Sequence, residues 1–380
     1  MIGPAYTAAH EAAARVEAHF ARHHAAARER GDHDLAPLPD AWAVEAMLDA
    51  GFWASLRREE DYAPTISLAF VPPEQATRPL RFERRIRLLA GSLARLAPAV
   101  ERPGIHLGVW HDGGELHVWG ATRTLPTLCF VLEVVAPGLL VVKHRRSQES
   151  AKFVNVAVLE GDQIKIVDER GTMLPGCPSV AETLARSDAD PSDDPDPGNV
   201  PMQLAVSMRA HRRGGALLVV PATSDNWRHS VVRPVSYPLV PIVSDVAELM
   251  RCNPADRTRG EWRESLRRAV DALAGLTAVD GATVITDRYE LLAFGAKLRR
   301  RDGFDQIEQV LATESIEGAV ETIVDPAELG GTRHLSAAQF VHDQRDAVAF
   351  VASQDGRFTM FAWSDDDRIV RAHRIESLLM

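Results

Sequence analysis

The stretch from residue 187 to 199, SDADPSDDPDPGN, constrains this chain more than any other. Its aspartates repel one another, and its prolines lack the N–H that regular structure needs. Such a segment cannot bury a core and reads as an exposed linker. The chain must therefore fold on either side of it. The 380 residues fit two domains: an N-terminal one over 1–186 and a C-terminal one over 200–380. With 46% hydrophobic and 25% charged residues, the composition is that of a soluble globular protein. No apolar run approaches the ~20 residues needed to span a bilayer, and no basic-then-apolar leader opens the sequence. A cytoplasmic location without membrane attachment is the expectation. The net charge of -10 argues against broad nucleic-acid binding. Cys129, Cys177 and Cys252 show no CxxC spacing, which argues against a disulfide framework or a zinc knuckle.

The N-terminal half opens with an Ala-rich segment, 5–31, that reads as an exposed amphipathic helix. It carries His10, His19, His23 and His24. His19 and His23 stand at i, i+4, but no carboxylate–His pattern accompanies them. They read as a solvated helix face rather than a ligand set. Pro37 and Pro39 break the helix. Residues 41–57 predict a second helix, with Trp42, Met47, Leu48, Phe52 and Trp53 as core. Residues 82–96 predict a third. Period-2 segments follow at 105–110, 115–119, 129–135, 139–144, 154–159 and 163–167. The turns between them include Asp112-Gly113-Gly114, Pro137-Gly138 and Gly161-Asp162. This pattern predicts hairpins, hence an α+β domain around an antiparallel sheet. Lys143 to Arg146 form a basic cluster that reads as a solvated strand end.

Beyond the linker the rhythm changes. Residues 201–211 predict a helix stopped by Gly214-Gly215. Residues 216–220 are wholly apolar, as in a strand buried on both faces. An amphipathic helix over 261–273 precedes Asp280. Hairpins are predicted for 282–286 with 290–294, and for 348–352 with 357–361. Residues 307–311 and 318–323 read as helical or mixed, and 335–344 as a helix. The whole predicts an α/β domain with a mixed sheet flanked by helices.

Two motifs carry chemistry. Asp280-Gly281-Ala282 places a carboxylate at the mouth of a strand, beside small residues that let a substrate approach the backbone. That carboxylate can ligate Mg²⁺ or Mn²⁺ and orient a hydroxyl. Gly330-Gly331-Thr332-Arg333-His334 opens a helix, where free amides and the dipole favour phosphate. Arg333 can neutralise phosphoryl charge, and His334 can ligate metal or donate to a phosphate. Ser353 offers a further hydroxyl. Each motif alone is an ordinary turn in most proteins; their order and context join them.

On these residues, the span of about 201–361 resembles the diadenylate cyclase (DAC) domain, whose hallmarks are a DGA motif and a GxRHR motif. Here they stand as Asp280-Gly281-Ala282 and Gly331-Thr332-Arg333-His334-Leu335. The residues before the linker resemble DACNV, a sensor region found in front of some divergent DAC domains. The resemblance implies condensation of two ATP into cyclic di-AMP with release of pyrophosphate. It implies a divalent metal, Mn²⁺ or Mg²⁺, and at least a homodimer, since each protomer brings one ATP. Asp280, Arg333 and His334 would be catalytic, with Asp280 and His334 at the metal. Gly281, Ala282, Gly331 and Thr332 would line the nucleotide, Leu298 would sit near adenine, and Ser353 near the phosphate tail. Two positions depart from the pattern. Leu335 replaces the second motif Arg, and Gln354 stands where an acidic residue commonly follows the serine. Lys297, Arg299, Arg300 and Arg301 lie near enough in sequence to compensate, although a solvated basic turn is the simpler account of them. The departures leave a second expectation: a degenerate domain that binds a nucleotide as a sensor without turnover.

Overall fold

Alternating apolar residues shape the first half of the chain. The computed structural model describes residues 5–58, 62–112, 114–145, 153–167, 199–240, 244–252 and 260–379. The acidic stretch 187–198, Cys177, Arg146 and Gly113 lie outside the described residues. The chain forms two compact units, Met1–Val167 and Asp168–Met380.

In the first unit, α1 (Thr7–Glu29), α2 (Ala41–Ser55) and α3 (Ala90–Leu96) pack on an eight-stranded sheet. The strands are β1 (Ile66–Phe70), β2 (Leu80–Arg87), β3 (His106–Asp112), β4 (Glu115–Thr122), β5 (Phe130–Ala136), β6 (Leu139–Arg145), β7 (Phe153–Glu160) and β8 (Gln163–Ile166). Their order is β2-β4-β3-β1-β5-β6-β7-β8. Every pairing is antiparallel except β1 with β3. Asp40 starts α2 by accepting the Ala43 amide at 2.8 Å, which satisfies one of the free donors of a helix N-terminus. The face bearing Leu68, Leu107, Phe130, Leu132 and Val142 meets the helices. The opposite face carries Ala69, Val71, Trp119 and Val131.

Three expectations need correction here. Residues 82–87 form strand β2, not helix; only 90–96 are helical. Phe82 and Ile86 both pack on the core, and an i, i+4 pair shares one face in a strand as well as in a helix. Periodicity therefore did not discriminate. Strand β1 was not anticipated. Nor is α1 a solvated helix: Ala9, Ala12, Val16, His19, Phe20 and His24 are buried along it.

The second unit is a three-layer sandwich. Its helices are α4 (Val200–Ala210), α5 (Asp245–Met250), α6 (Gly260–Leu276) and α7 (Gly331–Asp343). Its strands are β9 (Gly215–Val220), β10 (Tyr237–Pro238), β11 (Ala282–Thr286), β12 (Leu291–Ala296), β13 (Val310–Glu314), β14 (Thr322–Val324), β15 (Val348–Ala352), β16 (Phe358–Ser364) and β17 (Ile369–Arg374). They order as β10-β12-β11-β9-β15-β16-β17-β13-β14. β9 with β11 and β13 with β17 are parallel, and the other pairs antiparallel. Leu217, Val219, Ile285 and Phe350 face α4, α5 and α6, whereas Leu218, Val284, Ala349 and Phe361 face α7. Where 307–311 and 318–323 read as helical or mixed, the structure has short strands at 310–314 and 322–324, and β17 was not foreseen. Together the units give the mixed α/β fold with an N-terminal α+β part. Among the described residues, no helix is long and apolar enough to cross a membrane.

Candidate functional site

Strand register gathers the two motifs at one edge of the second sheet. β9 and β11 start together, Ala216 beside Ala282. The neighbouring strands end where these begin: Ala352 of β15 pairs with Gly215, and Ala296 of β12 with Ala282. Asp280 and Gly281 thus enter the sheet beside Lys297 and Leu298, which leave it. Ser353 leaves it from β15. The start of α7 lies over the same edge. A Cβ added to Gly214 would stand 3.1 Å from an Arg333 guanidinium nitrogen and 3.3 Å from the Ala352 carbonyl oxygen.

Asp280 is exposed, and the Lys297 ammonium donates to its Oδ2 at 2.5 Å. This hydrogen bond and the charge of Lys297 hold the carboxyl below its usual range, with a further contribution from Arg333. An opposite charge favours the ionised form. Arg333 is also exposed, and among the described residues no carboxylate pairs with it within salt-bridge distance. A carboxylate and two cations therefore share one open edge. Of the other basic candidates, Arg299 pairs with Asp302 at 3.1 Å and Arg301 stacks over Phe304.

The glycines explain the close approach. Gly281 has φ +115°, and a Cβ there would lie 2.5 Å from the Gly295 carbonyl carbon. Only glycine fits that backbone without strain. Across the turn, the ring of Tyr237 lies against Gly295 and stacks on Phe294 with centroids 4.7 Å apart. Tyr237 is exposed. It is an aromatic face that sequence reasoning missed, because a two-residue strand carries no periodic signal.

Helix α7 begins at Gly331, one turn earlier than expected, so Gly331, Thr332 and Arg333 occupy its first turn. Gly330 precedes it with no side-chain cap, which leaves first-turn amides open to an anion. Gly331 and Thr332 are exposed. His334 is not. It is 1% exposed, its Nδ1 donates to the Gly330 carbonyl, and Thr359 Oγ1 lies 3.3 Å from its Nε2. Burial lowers its pKa, the largest of several influences. A neutral imidazole with Nδ1 protonated accepts the Thr359 hydroxyl at Nε2. Both nitrogens thus have partners within the protein, and this histidine holds the turn.

Leu298 is half-buried, bridged to Val231 and packed against the core. Ser353 is half-buried in the β15–β16 turn, its amide donating to the Arg357 carbonyl at 2.9 Å. Leu335 packs on the core and brings no charge. Gln354 is exposed, and its amide donates to the Arg213 carbonyl at 3.4 Å. For a divalent metal, the donor set available is the Asp280 carboxylate. Hard ions such as Mg²⁺ are commonly held by one or two carboxylates, waters and substrate phosphates. The residues present fit that arrangement.

Two hollows lie elsewhere. One of about 520 Å³ between α5 and α6 shares no residue with this edge. The other, about 770 Å³, lies in the first unit and is lined mainly by apolar groups of Leu80, Phe82, Ile105 and Leu107, with Arg78 and Arg123 beside them. It falls within the segment that comparison with known families picks out. Residues 33–123 match the probable sensor domain DACNV. The first unit therefore carries a segment similar to a sensor domain. The match ends at residue 123 and speaks for that unit alone. No curated protein matches the chain.

Proposed function

We propose that the second unit is a nucleotidyltransferase of the diadenylate cyclase type, controlled by the DACNV-like unit before it. Support comes from one observation: exposed Asp280 lies within electrostatic reach of Lys297 and Arg333, beside the uncapped first turn of α7. In this reading the amides of Gly331 and Thr332 and the guanidinium of Arg333 grip the phosphates of ATP. Gly281 and Ala282 admit the nucleotide close to the backbone. Leu298 packs near the base, Tyr237 lies close by, and Ser353 donates to the phosphate tail. Asp280, kept ionised by its cationic neighbours, accepts the proton of the ribose 3′-hydroxyl. That oxygen attacks the α-phosphorus of a second ATP held by a facing protomer, and pyrophosphate leaves. When bound, Mn²⁺ or Mg²⁺ at Asp280 lowers the charge repulsion of this step. His334 acts as a positioning residue that fixes the Gly330 turn. The 770 Å³ hollow is the place where the first unit would take a small ligand.

The test is incubation of the purified full chain with ATP and Mn²⁺, with mass spectrometry for cyclic di-AMP. Product from the wild type that falls at least ~100-fold in Asp280→Asn supports turnover. A second reading, nucleotide binding without turnover, is favoured by the Lys297–Asp280 ion pair and by uncharged Leu335. Tight ATP binding with no product selects it. Absence of binding as well as product overturns both.

A further inference from the structure

A second chemically distinctive cluster lies in the first unit, at the helix whose histidines read as solvated. His19 and His23 are one turn apart on α1, and His144 comes from β6 across the core. Their ligand atoms all lie within 4.8 Å of one another. His19 and His144 are each 3% exposed, and His23 is half-buried. The rings of His19 and His23 stack with centroids 4.3 Å apart, and those of His23 and His144 lie 5.3 Å apart. Phe20 and Phe130 back the group, Phe20 standing 6.0 Å from both His19 and His144.

We propose that His19, His23 and His144 form a binding site for a zinc-class divalent ion, which ties α1 to β6. Three arguments carry this. Imidazole is a preferred ligand for Zn²⁺, and three protein nitrogens plus one open position make a familiar coordination set. Tetrahedral Zn–N bonds of about 2.1 Å imply N···N separations of about 3.4 Å, so small ring rotations close the set. The tautomer is also prepared. His144 Nδ1 lies 3.3 Å from the Arg145 carbonyl oxygen. A carbonyl only accepts, so Nδ1 carries the proton and Nε2 remains the ligating atom, which is how metal-binding histidines are commonly oriented. His23, reaching the surface, supplies an entry path and leaves one coordination position to water.

All three residues lie outside the segment similar to DACNV, so the site is a property of this chain's own helix and sheet. It is also independent of the nucleotide reading, because its test measures metal and not product. The full chain, stripped with a chelator, is titrated with Zn²⁺ against a chromophoric competitor and then with Co²⁺ under visible spectroscopy. The expected result is one tight ion per chain and an intense four-coordinate Co²⁺ spectrum. Loss of a hydrogen bond that orients a ligating side chain already weakens metal binding by about 10–100-fold. Replacing a ligand, as in His23→Gln or His144→Gln, is therefore expected to weaken it at least ~100-fold. His10→Gln, an exposed histidine of the same helix paired with Glu45, is expected to change nothing. His23→Gln sits near the surface and serves where His144→Gln fails to fold. Zn²⁺ affinity equal in wild type and His23→Gln, a weak six-coordinate Co²⁺ spectrum, or less than one ion per chain would overturn the proposal.

Discussion

At the scale of single residues, charge and burial decide what each group can do. Lys297 keeps Asp280 ionised, so Lys297→Met should raise the Asp280 carboxyl toward its ordinary value. A carboxyl-resolved NMR titration reads that shift, and thermal stability should stay within error because the pair is solvated. Buried histidines respond to pH with a definite sign. Burial pushes His106 down from 6.5 to about 4, with smaller charge influences, Glu133 raising it and Arg145 and Lys143 lowering it. Between those values the unfolded chain binds a proton that the folded chain does not, so stability falls as pH falls through the window. The His106 contribution to this loss should amount to at most about 3 kcal/mol by pH 4. Denaturant titrations at several pH values, read by tryptophan fluorescence, check it; in His106→Asn the pH slope should flatten. His373 in the second unit, pushed down to about 3 by burial, acts with the same sign from pH 6.5 down to about 3. The Asp280 and Arg333 pair was legible in sequence because a carboxylate after a helix and an arginine after two glycines are local signals. The burial of His334 was not, since only the tertiary fold brings the Thr359 hydroxyl to its Nε2.

At the scale of elements, the site rests on turns that tolerate no side chain. Gly281→Ala forces φ +115° on an alanine and drives its Cβ to 2.5 Å from Gly295. Strained backbone of this kind costs about 1–3 kcal/mol, and the overlap adds to it. Chemical denaturation should register that loss, and the Asp280–Lys297 edge should open. At the head of α7, a Cβ on Gly330 would lie 2.6 Å from the His334 ring. Gly330→Ala should therefore unseat His334 and displace Arg333, lowering nucleotide affinity at least ~10-fold while α7 persists in circular dichroism. Isothermal titration with ATP measures it. Helices and buried strands with long apolar patterns were legible. The strand β2 was not, because its Phe82 and Ile86 satisfy both periods, and the exposed edge pattern left no alternation to choose between them.

At the scale of the whole molecule, the two units each bury their own clusters of apolar residues. Fragments covering 5–167 and 199–379 should each unfold cooperatively when expressed alone. Calorimetry of both against the full chain checks this, and a fragment with no transition would contradict it. The sequence by itself determined most of the alternation of helix and strand and the two motifs with their residue types, because these are set by local propensity and periodicity. Only the tertiary structure decided which groups meet. Strand register placed Lys297 beside Asp280, helix packing turned His334 inward, and the sheet carried His144 across to His19 and His23, residues 121 or more positions away. Contacts at such separations depend on sheet order and burial, which no short window of sequence encodes.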